Sequence, residues 1–457
     1  MTGVSTAYRS FLSSPTRRLL TTGLLFVYCC VVPFAAPVLL GGIRIVLVDL
    51  LLLFALPLAA LERRTYELRA NRWLALAIGV VFASLTQVPQ TAAVGDCAMR
   101  AVRFFAILVP FFLASSAAAS DRLVRRSVWA FYVGGLISMV IAVAFYELQV
   151  DYWRETQSFQ FGDEQRIRAA GIFADSGQFG HLLATWMVVT IAVLPLVSKG
   201  VIVRVATVVS MLLGIVCLFI SLSRGGIVNL LGALFVGAVL PGGRGAARQL
   251  RATLKWPIMF VLVVLTVGYI VAAGTDFLDS TIATLKLRFV EGTLSTASQN
   301  PDMALSGRLE NWQVAWHLFL GHPILGVGYK AMILVFDVPP DNQFLGFLCE
   351  AGVIGAAALV GFILTILGQL LTTCLRGRRT TLHPLSGTAR PGIEGILGRE
   401  QLAWAMVVVW SGQLIQAASA DTLTYWGGTP ALVALTGLIL SMPDSNPSPK
   451  LLDVIPS

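Results

Sequence analysis

Charge is what this sequence has least of. Asp, Glu, Lys and Arg make up 12% of its 457 residues, about half the share found in soluble domains. A water-soluble chain of this length needs far more polar surface, so a soluble globular enzyme is excluded. Histidine is scarce as well: the four present form no HxH, no HExxH and no DxD-flanked set, so no metal site and no cofactor are expected. Neither a GxSxG elbow nor a phosphate-binding P-loop occurs, which removes the commonest serine-hydrolase and nucleotide signatures. Cys29, Cys30, Cys97, Cys217, Cys349 and Cys374 make no CxxC pair and no zinc spacing. Most lie in or beside apolar runs, which argues against a disulfide framework.

What remains is hydrophobic: 56% of the residues, with a mean hydropathy of +0.79. Long apolar runs without strand-like alternation specify an all-α polytopic membrane protein, because lipid leaves no partner for open backbone groups. At about 20 residues per crossing, the chain divides into about twelve spans, at 19–40, 43–61, 73–88, 104–119, 127–147, 179–197, 205–221, 226–241, 256–273, 343–371, 401–420 and 426–442. The first span follows Arg17 and Arg18 and reads as an uncleaved anchor, since a second span follows almost at once.

The formal charge of +9 invites a nucleic-acid reading, but its distribution excludes one. With both termini on the inner side, roughly two-thirds of the 33 Lys and Arg fall in inner segments, as the positive-inside rule requires. The single transmembrane domain, 1–457, then carries two long outer connections, 148–178 and 274–342, the second between the ninth and tenth spans. On the inner side lie a basic linker, 373–400, and a tail, 443–457. Connections as long as 274–342 usually carry function.

That larger loop contains short amphipathic helices. From Ser306, an N-cap, the run GRLENWQVAWHLFLG brings Leu309, Trp312, Ala315, Trp316, Phe319 and Leu320 to one face, and Gly321 and Pro323 end it. Paired tryptophans suit an interfacial helix. A second stretch, 277–289, groups Phe277, Leu278, Ile282, Leu285 and Phe289. Together they read either as a lid that packs on the outer leaflet or as a roof over a lateral opening for a lipid-linked substrate.

Outer arginines run against the topological bias and need a reason. Arg224, in Ser221-Leu-Ser-Arg-Gly-Gly226, joins a guanidinium to glycine amides that open a helix, a combination that favours an anion. Arg166 and Arg168 precede the sixth span and Arg308 opens the interfacial helix. Several such cations on one rim point to a phosphate or diphosphate. Among outer carboxylates the best placed is Asp341, in Pro339-Pro340-Asp341-Asn342 at the start of the tenth span, where helix N-capping is the alternative role. Glu310, Asp337 and Asp175 are reserves, and His322 and Asn342 complete the candidate substrate-binding set.

Asp341-Asn342, nine residues, then Gly352-Val-Ile-Gly355 is similar to the His-Asn…Gly-x-x-Gly signature of the O-antigen ligase and polymerase family. SRGG at 223–226, GRLENWQVAWHLFLGHPILGVGY at 307–329 and RAAGIFADSGQFG at 168–180 resemble the same family and lie in its order. The resemblance implies a metal-independent, inverting glycosyltransferase of the bacterial inner membrane. Its donor would be an undecaprenyl-diphosphate-linked oligosaccharide, its acceptor a glycan or lipid, its site periplasmic, and a chain-length regulator a possible partner. Arg224 and Arg308 match the arginines thought to hold the donor diphosphate. Asp341 stands where ligases carry the catalytic histidine, which favours the polymerase or exopolysaccharide branch over lipid A-core ligation. The rival reading is a flippase or transporter, but carriers tend to keep ionisable sites near the bilayer midplane. Here the spans are almost free of charge, apart from Asp49 and Glu350.

Overall fold

The structure is a computed structural model that describes residues 15–34, 37–40, 43–46, 69–89, 93–116, 119–150, 158–161, 164–173, 176–198, 200–221, 223–240, 307–339, 342–382, 398–418 and 428–442. The described chain is helical apart from two short antiparallel hairpins. Among the described residues, five helices are long and apolar enough to cross a membrane: Ala93–Ser115, Asp121–Glu147, Ser176–Val197, Val201–Ser221 and Gln343–Leu375. Three shorter ones, Thr22–Val31, Arg224–Val239 and Gly428–Ser441, are equally apolar. Most of the second span, the ninth span at 256–273, the stretch 277–289 and the tail 443–457 lie outside the described residues.

The first half departs from expectation near its start. Helix α1 (Pro15–Val31) ends well short of residue 40, in a 3-10 turn at Val32–Phe34. Strands β1 (Pro37–Leu40) and β2 (Ile43–Val46) then pair with Leu40 opposite Ile43. Pro33 and Pro37 account for the stop, since proline has no amide to donate to a helix ladder, and the β-branched run that follows suits strands. Helix α2 (Arg69–Ser84) and α3 (Ala93–Ser116), which accommodates Pro110, begin earlier than the apolar runs alone indicated. Helix α4 (Asp121–Glu147) starts on Ser120, whose side chain accepts from Leu123 N at 3.3 Å. The connection 148–178 holds β3 (Ser158–Phe161) and β4 (Glu164–Ile167).

Helix α5 (Ser176–Ala192) is the centre of the bundle. It is buried on nearly every side and touches α4 and the helices α7 (Val201–Ser221), α8 (Arg224–Val239), α12 (Arg399–Ala417) and α13 (Gly428–Ser441). A helix apolar all round has to be central. Pro195 separates α5 from the short α6 (Leu194–Val197). Packing against α4 is close: Trp186 stacks on Tyr132 with centroids 5.5 Å apart, its Nε1 donates to Tyr132 O at 3.0 Å, and a Cβ at Gly135 would lie 2.1 Å from the indole. In lipid, helices gain by close approach of small residues rather than by expelling water.

The interfacial element forms as α9 (Gly307–Gly321), followed by the one-turn α10 (Ala331–Leu334). Its apolar residues divide between a seam packed on the protein and an outward side. Ala315 is buried and Trp312, Leu318 and Phe319 are half-buried, but Leu309, Trp316 and Leu320 are exposed. The reason is geometric: α9 lies on α11 (Gln343–Leu382) along one seam, with Val88, Cys97, Val327 and Cys349 closing the contact. The helical run of α11 reaches Leu382, so the expected linker 373–400 starts helical.

Candidate functional site

The site is built where helix ends meet. Ser223 is the N-cap of α8, accepting from Gly226 N at 3.2 Å, which makes Arg224 the first helical residue. The Arg224 side chain is exposed and the first-turn amides of α8 lie beside it. Arg168 comes to the same junction: its Nε donates to Ser221 O, the last carbonyl of α7, at 3.2 Å, and Ala169 N donates to Ile220 O at 3.0 Å. A guanidinium on a helix C-terminus offsets the dipole's negative end, so Arg168 serves the fold while bringing a second cation to the α7–α8 turn. Arg166 lies on β4, its backbone opposite Phe159.

Asn342 joins two helix ends. Its Oδ1 accepts from Phe344 N and Leu345 N, each at 3.0 Å, and its Nδ2 donates to Ala418 O at 2.9 Å. One side chain thus caps the N-terminus of α11 and ties it to the C-terminus of α12. Such a cap contributes about 1 kcal/mol, and it fills the role for which Asp341 was the sequence candidate. Asp341 itself, Asp175, and the side chains of Arg308 and Arg166 lie outside the described residues. Glu310 is exposed on the first turn of α9; Asp337 is exposed after α10 with φ +54°. His322 is exposed, and its backbone closes α9, with its N bonded to Phe319 O and its O accepting from Gly326 N, both at 3.0 Å.

The Gly-x-x-Gly segment proves to be a helix break. Gly352 has φ +65° and ψ −173° inside α11, a conformation essentially reserved for glycine. A strap from the preceding loop fills the break: Val353 N donates to Pro323 O at 2.8 Å, Val327 N to Cys349 O at 2.9 Å and Gly328 N to Glu350 O at 3.1 Å. The approach leaves no room for side chains. A Cβ on Gly352 would lie 2.1 Å from Ile324 O, and one on Gly326 2.4 Å from Cys349 O. HPILGVGY and GVIG, far apart in sequence, are two halves of one backbone joint, with Phe104, Tyr329 and Phe347 clustered behind it.

Beneath Arg224 lies a buried polar node that the sequence reading passed over. His181 of α5 bonds through Nδ1 to Gln416 Oε1 at 3.0 Å and through Nε2 to Thr429 Oγ1 at 3.2 Å. Asn229 Nδ2 donates to the same Gln416 oxygen at 2.8 Å and to Gln413 Oε1 at 3.4 Å. Interhelical bonds of this kind contribute about 0.6–2 kcal/mol each in membrane proteins. The available signal was amides within apolar runs, with Gln413 and Gln416 three apart on α12; attention to charge alone missed them.

With this geometry in view, comparison with known families is informative. Residues 209–360 match the family described as O-antigen ligase. Over this stretch the chain is similar to the O-antigen ligase family. The matched residues take in the α7–α8 turn with Arg224, all of α9, the strap and the break at Gly352. No curated protein matches the chain.

Proposed function

We propose that this O-antigen ligase-family membrane protein is a glycosyltransferase that uses an undecaprenyl-diphosphate-linked oligosaccharide at the periplasmic face of the bacterial inner membrane. Polymerisation of repeat units is favoured over transfer to lipid A-core. The observation that carries this reading is the meeting of helix ends at one end of the bundle. The α7–α8 turn with Arg224 and Arg168, the N-termini of α5 and α13, and the joined ends of α11 and α12 are linked there by direct hydrogen bonds. The distribution of Lys and Arg along the sequence supports an outer position for that end. A guanidinium beside helix-opening amides suits a diphosphate.

In this reading Arg224, with Arg308 from α9, neutralises the charge that develops on the departing lipid diphosphate, a fixed electrostatic contribution. The acceptor hydroxyl oxygen attacks the anomeric carbon as the bond from that carbon to the diphosphate oxygen breaks. The hydroxyl proton passes to Asp341. Two facts support Asp341 as base: it adjoins the capped start of α11, and Asn342 already satisfies the first amides of that helix, so Asp341 is not needed as a cap. α9, with Trp316 and Leu320 exposed, forms the roof beneath which the lipid chain is admitted.

The test is reconstitution of purified protein in nanodiscs with undecaprenyl-diphosphate oligosaccharide. Lengthened glycan on the lipid, with release of undecaprenyl diphosphate, is the expected product. Movement of unmodified lipid between leaflets, without new glycosidic bonds, would instead establish the transport reading.

A further inference from the structure

His181 is fully buried in α5, and the chemistry proposed above does not use it. Both ring nitrogens are engaged. Gln416 Oε1 can only accept, so Nδ1 carries the proton and Nε2 accepts from the Thr429 hydroxyl. The neutral imidazole therefore joins α5, α12 and α13, and Gln416, accepting from Asn229 as well, extends the tie to α8. Each of these residues lies within about two turns of its helix end.

The first turn of α8 is wedged against this node. A Cβ on Gly180 would sit 2.1 Å from Ser223 Oγ, one on Gly226 2.6 Å from Gly180 O, and one on Gly225 2.9 Å from Gln416 Nε2. Where Gln416 stands thus decides where the α8 N-terminus stands, and Arg224 is its first residue. We propose that His181, acting through Gln416, is a positioning residue that sets the Arg224 guanidinium against the lipid diphosphate; this rests on the reading of Arg224 as a diphosphate ligand. A neighbouring donor makes the role separable from folding. Gln416 Oε1 keeps the Asn229 donor when the imidazole is lost, and Gln413 Nε2, buried without a hydrogen-bond partner among the described residues, offers the amides a further donor as they rearrange.

The test uses the full-length protein in nanodiscs, undecaprenyl diphosphate as the binding probe, and turnover of the oligosaccharide-linked lipid. His181→Phe is expected to weaken probe binding about tenfold, the scale of one lost buried hydrogen bond, with KM rising more than kcat falls. His181→Gln, which keeps an amide donor, recovers part of the loss. In an Arg224→Lys background, His181→Phe adds little, because the two residues act as one unit. Should His181→Phe fail to fold, Gln416→Met carries the same expectations. Losses that add in full to those of Arg224→Lys, or a lowered melting temperature with normal probe binding, would overturn the positioning role. If Arg224→Ala itself binds undecaprenyl diphosphate as tightly as the unaltered protein, the diphosphate reading falls first, and this inference with it. Normal binding by His181→Phe beside a defective Arg224→Ala overturns the inference alone.

Discussion

Replacing Gly352 by alanine tests the helix break directly. Alanine at φ +65°, ψ −173° costs about 1–3 kcal/mol in backbone strain alone. The added methyl would also lie 2.1 Å from Ile324 O and 2.3 Å from Ile324 C. These are backbone atoms, which cannot swing aside as a side-chain tip can. The strap must retreat, and three bonds depend on its position: Val353 N to Pro323 O, Val327 N to Cys349 O and Gly328 N to Glu350 O. Each contributes about 1 kcal/mol, so strain and full detachment together cost about 4–6 kcal/mol. Gly368, in the same helix, is the control, because a Cβ there meets nothing within 4 Å among the described residues and alanine is the better helix former by about 1 kcal/mol. Thermal unfolding in detergent should find Gly352→Ala well below the unaltered protein and Gly368→Ala at or above it. Hydrogen exchange should show the Val327, Gly328 and Val353 amides losing protection in Gly352→Ala alone. Equal melting of the two variants, with those amides equally protected, would refute the joint.

Arg224→Ala should abolish polymer while the protein still inserts and purifies, and Arg224→Lys should retain part of the activity; unchanged product length and amount in the alanine variant would remove the diphosphate role. Asp341→Ala should cut turnover at least about a hundredfold, the low end for losing a general base, without weakening undecaprenyl diphosphate binding; turnover at the unaltered level would eliminate Asp341 as base. Asn342→Asp keeps the acceptor for Phe344 N and Leu345 N but loses the donor to Ala418 O, whereas Asn342→Ala loses both. Melting temperatures should therefore fall in the order unaltered protein, aspartate, alanine, and an alanine variant as stable as the unaltered protein would refute the double cap.

Composition alone determined that this chain is helical and built for lipid. With so little charge, no soluble arrangement exists, and backbone groups in hydrocarbon must bond within their own helix. Capping is local chemistry too, although the serines that cap α8 and α4, Ser223 and Ser120, are identified from the structure. Other features depend on contacts between segments far apart in sequence. That the Asn342 side chain both caps α11 and holds Ala418 O depends on how α11 and α12 meet. Gly352 is legible as a glycine, but only the strap at 323–328 explains why nothing else fits. Spacing groups Trp316 and Leu320 with Ala315 on α9, but only the packing of that helix on α11 leaves the first two exposed and buries the third. The His181 node was least visible of all, because four polar residues from four helices carry no shared pattern along the chain. Periodicity reports which face of a segment is apolar; which partner meets that face, and what polar group waits there, is decided only when the helices pack.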